Sequence, residues 1–96
     1  MLVQLKKLNI INEGYNKTSI SLEKVYINPS HIISVIDYAG AREFLLREGN
    51  LTNSEDRFSL LKLSTANRVE EIIVLGTSEQ VYNQIQSHPG KELLNG

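Results

Sequence analysis

The stretch "VYINPSHIISVIDY" (residues 25–38) decides how the fold is read, because it is rich in strand-forming residues yet carries Asn28-Pro29 near its start. Proline has no N–H for a strand ladder, and the residue before it is pushed out of the helical region. The side chain of Asn28 or Ser30 can bond to nearby backbone and stabilise a turn. The sequence therefore predicts two strands separated by a turn over residues 28–31.

Two β-hairpins flank this turn in the sequence. Residues 2–11 alternate imperfectly, as in a strand, and "NEGYNK" (12–17) supplies the Gly and Asn that a hairpin turn needs. The segments 57–65 and 68–76 are both rich in strand formers and are joined by Ala66-Asn67. Because Asn tolerates a positive φ, we expect Asn67 to take the left-handed conformation in the second hairpin.

The segment "TSISLEKVYIN" (18–28) changes phase along its length. Its apolar positions are first even-numbered and then odd-numbered: Ile20 and Leu22, then Val25 and Ile27. A change of phase inside a strand is typical of a β-bulge, which we expect near Glu23-Lys24.

The segment "TSEQVYNQIQSHPG" (77–90) predicts a helix. Thr77 and Gln80 have the spacing of a capping box, and Glu79 suits the positive end of the helix dipole. Val81 and Ile85 share one helix face. The run His88-Pro89-Gly90 predicts the end of the helix, and residues 90–96 are expected to form a flexible tail unless they pack on a partner.

These elements predict a single α+β domain over residues 1–96. About five antiparallel strands would form a bent sheet or small open barrel, with one C-terminal helix covering a face. The expected core residues are Val3, Leu5, Val25, Ile27, Ile33, Val35, Leu61, Leu63, Ile73, Leu75, Val81 and Ile85.

An insertion over residues 40–57 is the expected place of interaction. Its first half is either a short helix or an extended hairpin arm, and "GNLTNSED" has turn chemistry. Aromatic, Arg and aliphatic side chains together are typical of interface anchors. The predicted interface residues are Arg42, Phe44, Leu45, Leu46 and Arg47. The alternative is that these apolar side chains, and the pair Leu93-Leu94, only seal the ends of the core.

Composition limits the classes of function. The formal net charge of −1 gives no bulk attraction to nucleic acid or anionic membranes, and the lack of cysteine excludes disulfides and thiol chemistry. The N-terminal stretch does not resemble a signal peptide, and no run of apolar residues reaches the length of a membrane span. We therefore expect a cytoplasmic protein.

No pattern in the sequence predicts a catalytic residue, a metal site or a cofactor. His31 and His88 have no carboxylate at metal-ligand spacing, and the glycines are scattered rather than grouped into a phosphate-binding loop. Glu70 and Glu71 are adjacent on a strand and therefore point to opposite faces. An enzyme is not expected.

Binding of single-stranded nucleic acid is the alternative function. Small bent sheets bind single strands with basic and aromatic side chains, and Lys24, Tyr26, Lys62 and Arg68 are the candidate residues. Acidic residues are interleaved with these positions, which favours an ordinary solvated sheet face.

The chain also resembles a known family in several short pieces. The pieces are "LVQLKKLN", "VYINPSHIISV", "SLLKLST" and "EEIIVLGTSEQVYNQI", and they look like the FlbD/SwrD-type small motility proteins and similar short proteins encoded by tailed phages. Residues 12–23 and 40–57 are insertions relative to that pattern. The resemblance implies a non-enzymatic accessory or regulatory protein, in the host cytoplasm if a phage encodes it. The open sheet edges and the apolar residues of the insertion separately predict a protein partner or a homo-oligomer.

Overall fold

A computed structural model describes residues 1–12, 14–15, 18–47 and 56–86. Within these ranges, five antiparallel strands form one sheet in the order β2-β1-β5-β4-β3, and two helices pack on it. This architecture confirms the predicted α+β class. The elements in chain order are β1 (Val3–Asn12), β2 (Thr18–Ile27), β3 (Ile32–Asp37), α1 (Ala39–Arg47), β4 (Phe58–Thr65), β5 (Arg68–Leu75) and α2 (Ser78–Gln86).

The Asn28-Pro29 turn separates two strands, as the sequence predicts. Residues Pro29–His31 form one turn of 3₁₀ helix, which Pro29 opens because its missing N–H needs no partner there. Asn28 Oδ1 accepts hydrogen bonds from Ser30 N at 3.0 Å and from Ser30 Oγ at 2.8 Å. The turn is therefore stabilised by its own side chains.

The sheet is strongly bent. Its edges are β2 and β3, although only residues 28–31 separate these strands in the chain. In a flat sheet the first and fifth strands would lie about 19 Å apart, whereas the chain from Ile27 to Ile32 reaches about 17 Å when fully extended. The 3₁₀ turn shortens that reach further. Accordingly, Val25 from β2 and Val35 from β3 pack on the same hydrophobic cluster.

Each face of the sheet carries its own cluster and its own helix. We call these the α2 face and the α1 face, after the helix that packs on each. The α2 face holds Leu61 and Leu63 of β4, whereas Phe58 of the same strand lies on the α1 face. The cluster on the α2 face consists of Val3, Leu5, Ile27, Leu61, Leu63, Val74, Val81 and Ile85. The cluster on the α1 face consists of Leu8, Ala41, Leu45 and Phe58, with Ile20, Phe44, Ile73 and Leu75 packed against it.

The predicted core residues are buried or half-buried, with one exception. The prediction that Ile33 belongs to the core is wrong, because its side chain is 53% exposed. The β3–β4 register shifts between Ile32 and Ser34 and leaves Ile33 in a bulge. The predicted core includes Ile73 and Leu75 on the α1 face but misses the buried residues they pack against, Leu8, Ala41, Leu45 and Phe58, two of which come from the insertion.

The bulge predicted near Glu23-Lys24 is wrong. β1 and β2 pair without a shift from Val3↔Ile27 to Asn12↔Thr18. The change of phase has another cause, because Ile20 packs on the α1 face and Ile27 on the α2 face. The first half of β2 therefore contributes apolar side chains to the α1 face and the second half to the α2 face, and the pairing with β1 stays regular throughout.

The two hairpins are confirmed, with one correction. Gly14 supplies a positive φ of 106° in the loop between β1 and β2. In the β4–β5 loop, however, Ala66 takes the positive φ (47°), and Asn67 does not. Two-residue hairpin turns that match the twist of the strands need a positive φ at their first loop residue. Ala66 occupies that position, so it takes the positive φ although alanine disfavours it.

Helix α2 begins with the predicted capping box. Gln80 N donates to Thr77 Oγ1 at 3.1 Å, and Thr77 N donates to Gln80 Oε1 at 2.9 Å. Val81 and Ile85 are buried against the α2 face. The predicted helix stop at 88–90 and the tail 90–96 lie outside the described residues.

Candidate functional site

The α1 face carries a row of apolar side chains that crosses the whole sheet. The register places Leu22 of β2 opposite Leu8 of β1, and Leu60 of β4 opposite Ile73 of β5. On its other side, Leu60 faces Ile36 of edge strand β3. Leu8 and Ile73 belong to one cluster, which joins the two halves of the row.

Helix α1 covers only part of this row. Ala41 and Leu45 are buried against the sheet and Phe44 packs beside them. The two ends of the row remain open, because Leu22 is 46% exposed and Ile36 is 54% exposed. The other strand residues with large exposed apolar side chains on this face are Ile10, Tyr26 and Val69.

The structure divides the predicted interface residues into three groups. Leu45 is buried and Phe44 is half-buried in the cluster of the α1 face, so both contribute to folding. Leu46 and Arg47 are exposed, and the Arg47 guanidinium lies 5.7 Å from the centroid of the Phe44 ring. Arg42 is half-buried at the start of the helix. The first half of the insertion is thus a helix rather than a hairpin arm, and residues 48–55 lie outside the described residues.

A cleft of about 380 Å³ opens at the N-terminal end of α1, with Asp37, Tyr38, Arg42 and Arg57 among its lining residues. Two of its charged side chains have structural partners. Asp37 Oδ1 accepts a hydrogen bond from Ser78 N at 2.8 Å, and Arg57 Nη1 donates to the carbonyl of Asp56 at 3.1 Å. Asp37 therefore ties the start of α2 to the end of β3.

Three of the four candidate nucleic-acid residues share a face. Lys24, Tyr26 and Lys62 lie on the α1 face, whereas the register places Arg68 on the α2 face, opposite Thr65. Lys24 stands opposite Lys6, so two like charges face each other between β1 and β2.

Two of these candidate nucleic-acid residues, Tyr26 and Lys62, have polar or acidic neighbours across the strands. Lys62 stands opposite Glu71, and Tyr26 Oη donates to Gln4 Oε1 at a long 3.5 Å. Glu70 and Glu71 point to opposite faces, as predicted, because they pair with Leu63 and Lys62 respectively.

The described ranges contain no cluster of three or more His, Asp or Glu side chains able to bind a metal ion. His31 is exposed in the 3₁₀ turn. Within the same ranges, no helix is long and apolar enough to cross a membrane.

The chain matches no protein-family model, no curated protein and no solved structure. The resemblance to the FlbD/SwrD-type proteins therefore stays a prediction.

Sequence reasoning missed the open ends of the apolar row. The signal is present in "IISVID" (32–37), where apolar residues occupy both alternating phases and so predict a strand with two apolar faces. What the sequence does not contain is the register that aligns Ile36 with Leu60 and Leu22 with Leu8.

Proposed function

We propose that this protein is a small non-enzymatic accessory or regulatory protein that binds another protein through the α1 face. The observation that carries the proposal is the apolar row, which remains exposed at Leu22 and Ile36 although α1 has already packed on its centre. Single exposed apolar residues are ordinary on a protein surface, whereas grouped ones favour a binding site, and exposed Ile10 lies on β1 next to Leu22 at its end of the row. The partner is expected to contribute an apolar surface of its own.

Charged residues around the row support this reading. Lys62 and Glu71 pair with each other on the same face, next to the Leu60–Ile73 pair, and Lys24 lies beside Leu22 along β2. An apolar centre with a mixed-charge rim is the usual composition of a protein–protein interface. Exposed Leu46 and the Arg47–Phe44 contact extend the surface onto α1.

Binding of single-stranded nucleic acid is the second candidate. Lys6 and Lys24 stand directly opposite each other beside exposed Tyr26, which would suit a phosphate and a stacked base. Arg68 lies on the other face, and Glu71 stands opposite Lys62. We therefore rank this function below protein binding, and the cytoplasm is the proposed place of action for either.

The test is affinity capture with the purified chain as bait, from a lysate of the organism that encodes it. The test variant carries Ile36→Ser and Leu46→Ser, which are 54% and 47% exposed in the wild type. The control variant carries Ile33→Ser and Tyr82→Ser, which are 53% and 52% exposed but lie outside the α1 face. Exposed positions tolerate such changes within about 0.5 kcal/mol each, so both variants should stay folded.

We expect one stoichiometric protein that the wild type and the control variant capture and the test variant loses. Nuclease treatment of the lysate should leave that capture unchanged. Capture that nuclease abolishes would favour the nucleic-acid candidate. Equal capture by the test and control variants would show that the α1 face is not the binding surface.

A further inference from the structure

The two edges of the sheet differ in how open they are to another strand. β3 has six residues, a bulge at Ile33 and a 3₁₀ turn directly before it. β2 has ten residues, pairs with β1 without any shift, and has no other strand beside it among the described residues. Proteins commonly protect an edge strand by shortness, bulges or inward-pointing charge, because its unpaired N–H and C=O groups attract other strands. β3 is protected in this way and the first half of β2 is not.

That half of β2 lies beyond the point at which β1 pairs with β5, although Ile20 still packs against the cluster of the α1 face. β1 pairs with β5 at Lys7↔Val74, whereas β1 and β2 continue together to Asn12↔Thr18. In the described residues, the distal part of this hairpin is thus a two-stranded ribbon, which is marginally stable alone in water. Large exposed apolar side chains are concentrated there, namely Ile10, Ile11, Tyr15 and Leu22.

We propose that β2 pairs with β2 of a second copy of this chain, antiparallel and about a two-fold axis at Ser21. In an antiparallel pair, directly opposite residues lie on the same face of the sheet. A two-fold axis that relates two copies of one strand must therefore pass between two copies of the same residue. An axis at Glu23 or Lys24 would bring two like charges together. An axis at Ser21 instead places Ile20 opposite Leu22 of the second copy, and Leu22 opposite its Ile20.

The pairing has a clear physical gain on the α1 face. The four side chains contributed by Ile20 and Leu22 of both copies would form one apolar group, flanked by Leu8 and Ile10, which β1 places opposite Leu22 and Ile20. Glu23 and Lys24 would face Ser19 and Thr18 of the second copy, and no like charges would meet. The two sheets would then form one continuous sheet of ten strands, and the ribbons would gain the third and fourth strands that they lack.

Cysteine cross-linking tests the axis directly, because the native chain has no cysteine. Opposite Cα atoms in an antiparallel pair lie about 4.5–5.5 Å apart, within the range of a disulfide. Under mild oxidation, Ser21→Cys should convert almost fully to a disulfide-linked dimer. Ser34→Cys is the matched control, since Ser34 is an exposed serine on the opposite edge strand. Cross-linking of Ser34→Cys as fast as Ser21→Cys would overturn the proposal.

Mass in solution gives the second, independent measurement on the full chain. By light scattering over a roughly hundredfold range of concentration, the wild type should approach twice the monomer mass. Leu22→Lys should remain a monomer throughout, and Ile36→Lys, at a similarly exposed position on the other edge strand, should still dimerise. A wild type that stays a monomer, or a Leu22→Lys variant that dimerises like the wild type, would contradict the pairing. Neither Ser21 nor Leu22 is altered in the test of the partner surface, so the two proposals can fail separately.

Discussion

The Ser59 hydroxyl donates a hydrogen bond of 2.7 Å to the backbone carbonyl of Gly76, and the Ser59 side chain is completely buried. Gly76 is the residue at which the chain leaves β5 for α2. Its N–H donates to the carbonyl of Arg57 at 2.7 Å, and its φ of 118° is one that glycine adopts without strain. Both backbone polar groups of this junction are therefore held by the start of β4, which sets the direction in which α2 leaves the sheet.

We expect Ser59→Ala to lower the free energy of unfolding by about 1–2 kcal/mol, because the Gly76 carbonyl loses the hydrogen bond that the buried Ser59 hydroxyl donates to it. Denaturant unfolding monitored by circular dichroism measures the loss. Ser64→Ala is the matched control on the same strand, since Ser64 is exposed, and it should change stability by less than about 0.5 kcal/mol. Equal effects of the two substitutions would show that the buried hydrogen bond contributes nothing specific.

Features set by neighbouring residues could be predicted from the sequence. The Asn28 turn and the Thr77–Gln80 capping box each depend on groups within three residues of one another, and both formed as expected. The chemistry of those side chains is sufficient wherever the rest of the chain lies.

Features set by distant residues could not be predicted in this way. Ile33 has the composition of a core strand, but its exposure depends on how β3 aligns with β4. Ala66 takes a positive φ because of its position in the loop, although Asn67 has the better intrinsic preference. The apolar row of the α1 face likewise depends on four strand registers, and no single segment contains them.

Ala66 offers a substitution that should stabilise the fold. A non-glycine residue in the left-handed region costs about 1–2 kcal/mol, and glycine removes that strain while losing about 0.5–1 kcal/mol of chain entropy. We therefore expect Ala66→Gly to raise the free energy of unfolding by about 0.5 kcal/mol.

Asn67→Gly is the control for that prediction. Its backbone φ is not positive, so glycine there should give no gain and should lower stability slightly. Chemical denaturation of both variants under the same conditions decides the matter. If Asn67→Gly stabilised the fold and Ala66→Gly had no effect, the positive φ in solution would lie at Asn67 rather than at Ala66.

Docking of α2 can be measured at Ile85, which is 8% exposed in the cluster of the α2 face. Truncation to Ala removes buried methyl groups and leaves a cavity, so we expect a loss of about 2–5 kcal/mol. Tyr82→Ala, at a 52% exposed position of the same helix, should cost less than about 1 kcal/mol. Thermal or denaturant unfolding gives both values. A loss below about half a kcal/mol for Ile85→Ala would show that α2 does not pack on the sheet as described.

The N-terminus of α2 is held by side chains from two parts of the chain. Thr77 Oγ1 accepts from Gln80 N at 3.1 Å within the capping box, and Asp37 Oδ1 at the end of β3 accepts from Ser78 N at 2.8 Å. Removing an N-cap acceptor typically costs about 1 kcal/mol. We expect Thr77→Ala and Asp37→Ala each to lower stability by about that amount.

Asp37→Asn separates the hydrogen bond from the charge. The amide oxygen of Asn can still accept from Ser78 N, so this variant should keep most of the stability that Asp37→Ala loses, apart from the favourable charge at the helix N-terminus. Because both acceptors hold the same helical turn, the double variant Thr77→Ala with Asp37→Ala should lose less than the sum of the single losses. Strictly additive losses would mean that β3 and the capping box act on α2 independently. If Asp37→Asn proved as damaging as Asp37→Ala, the contribution of Asp37 would come from its charge rather than from the hydrogen bond to Ser78.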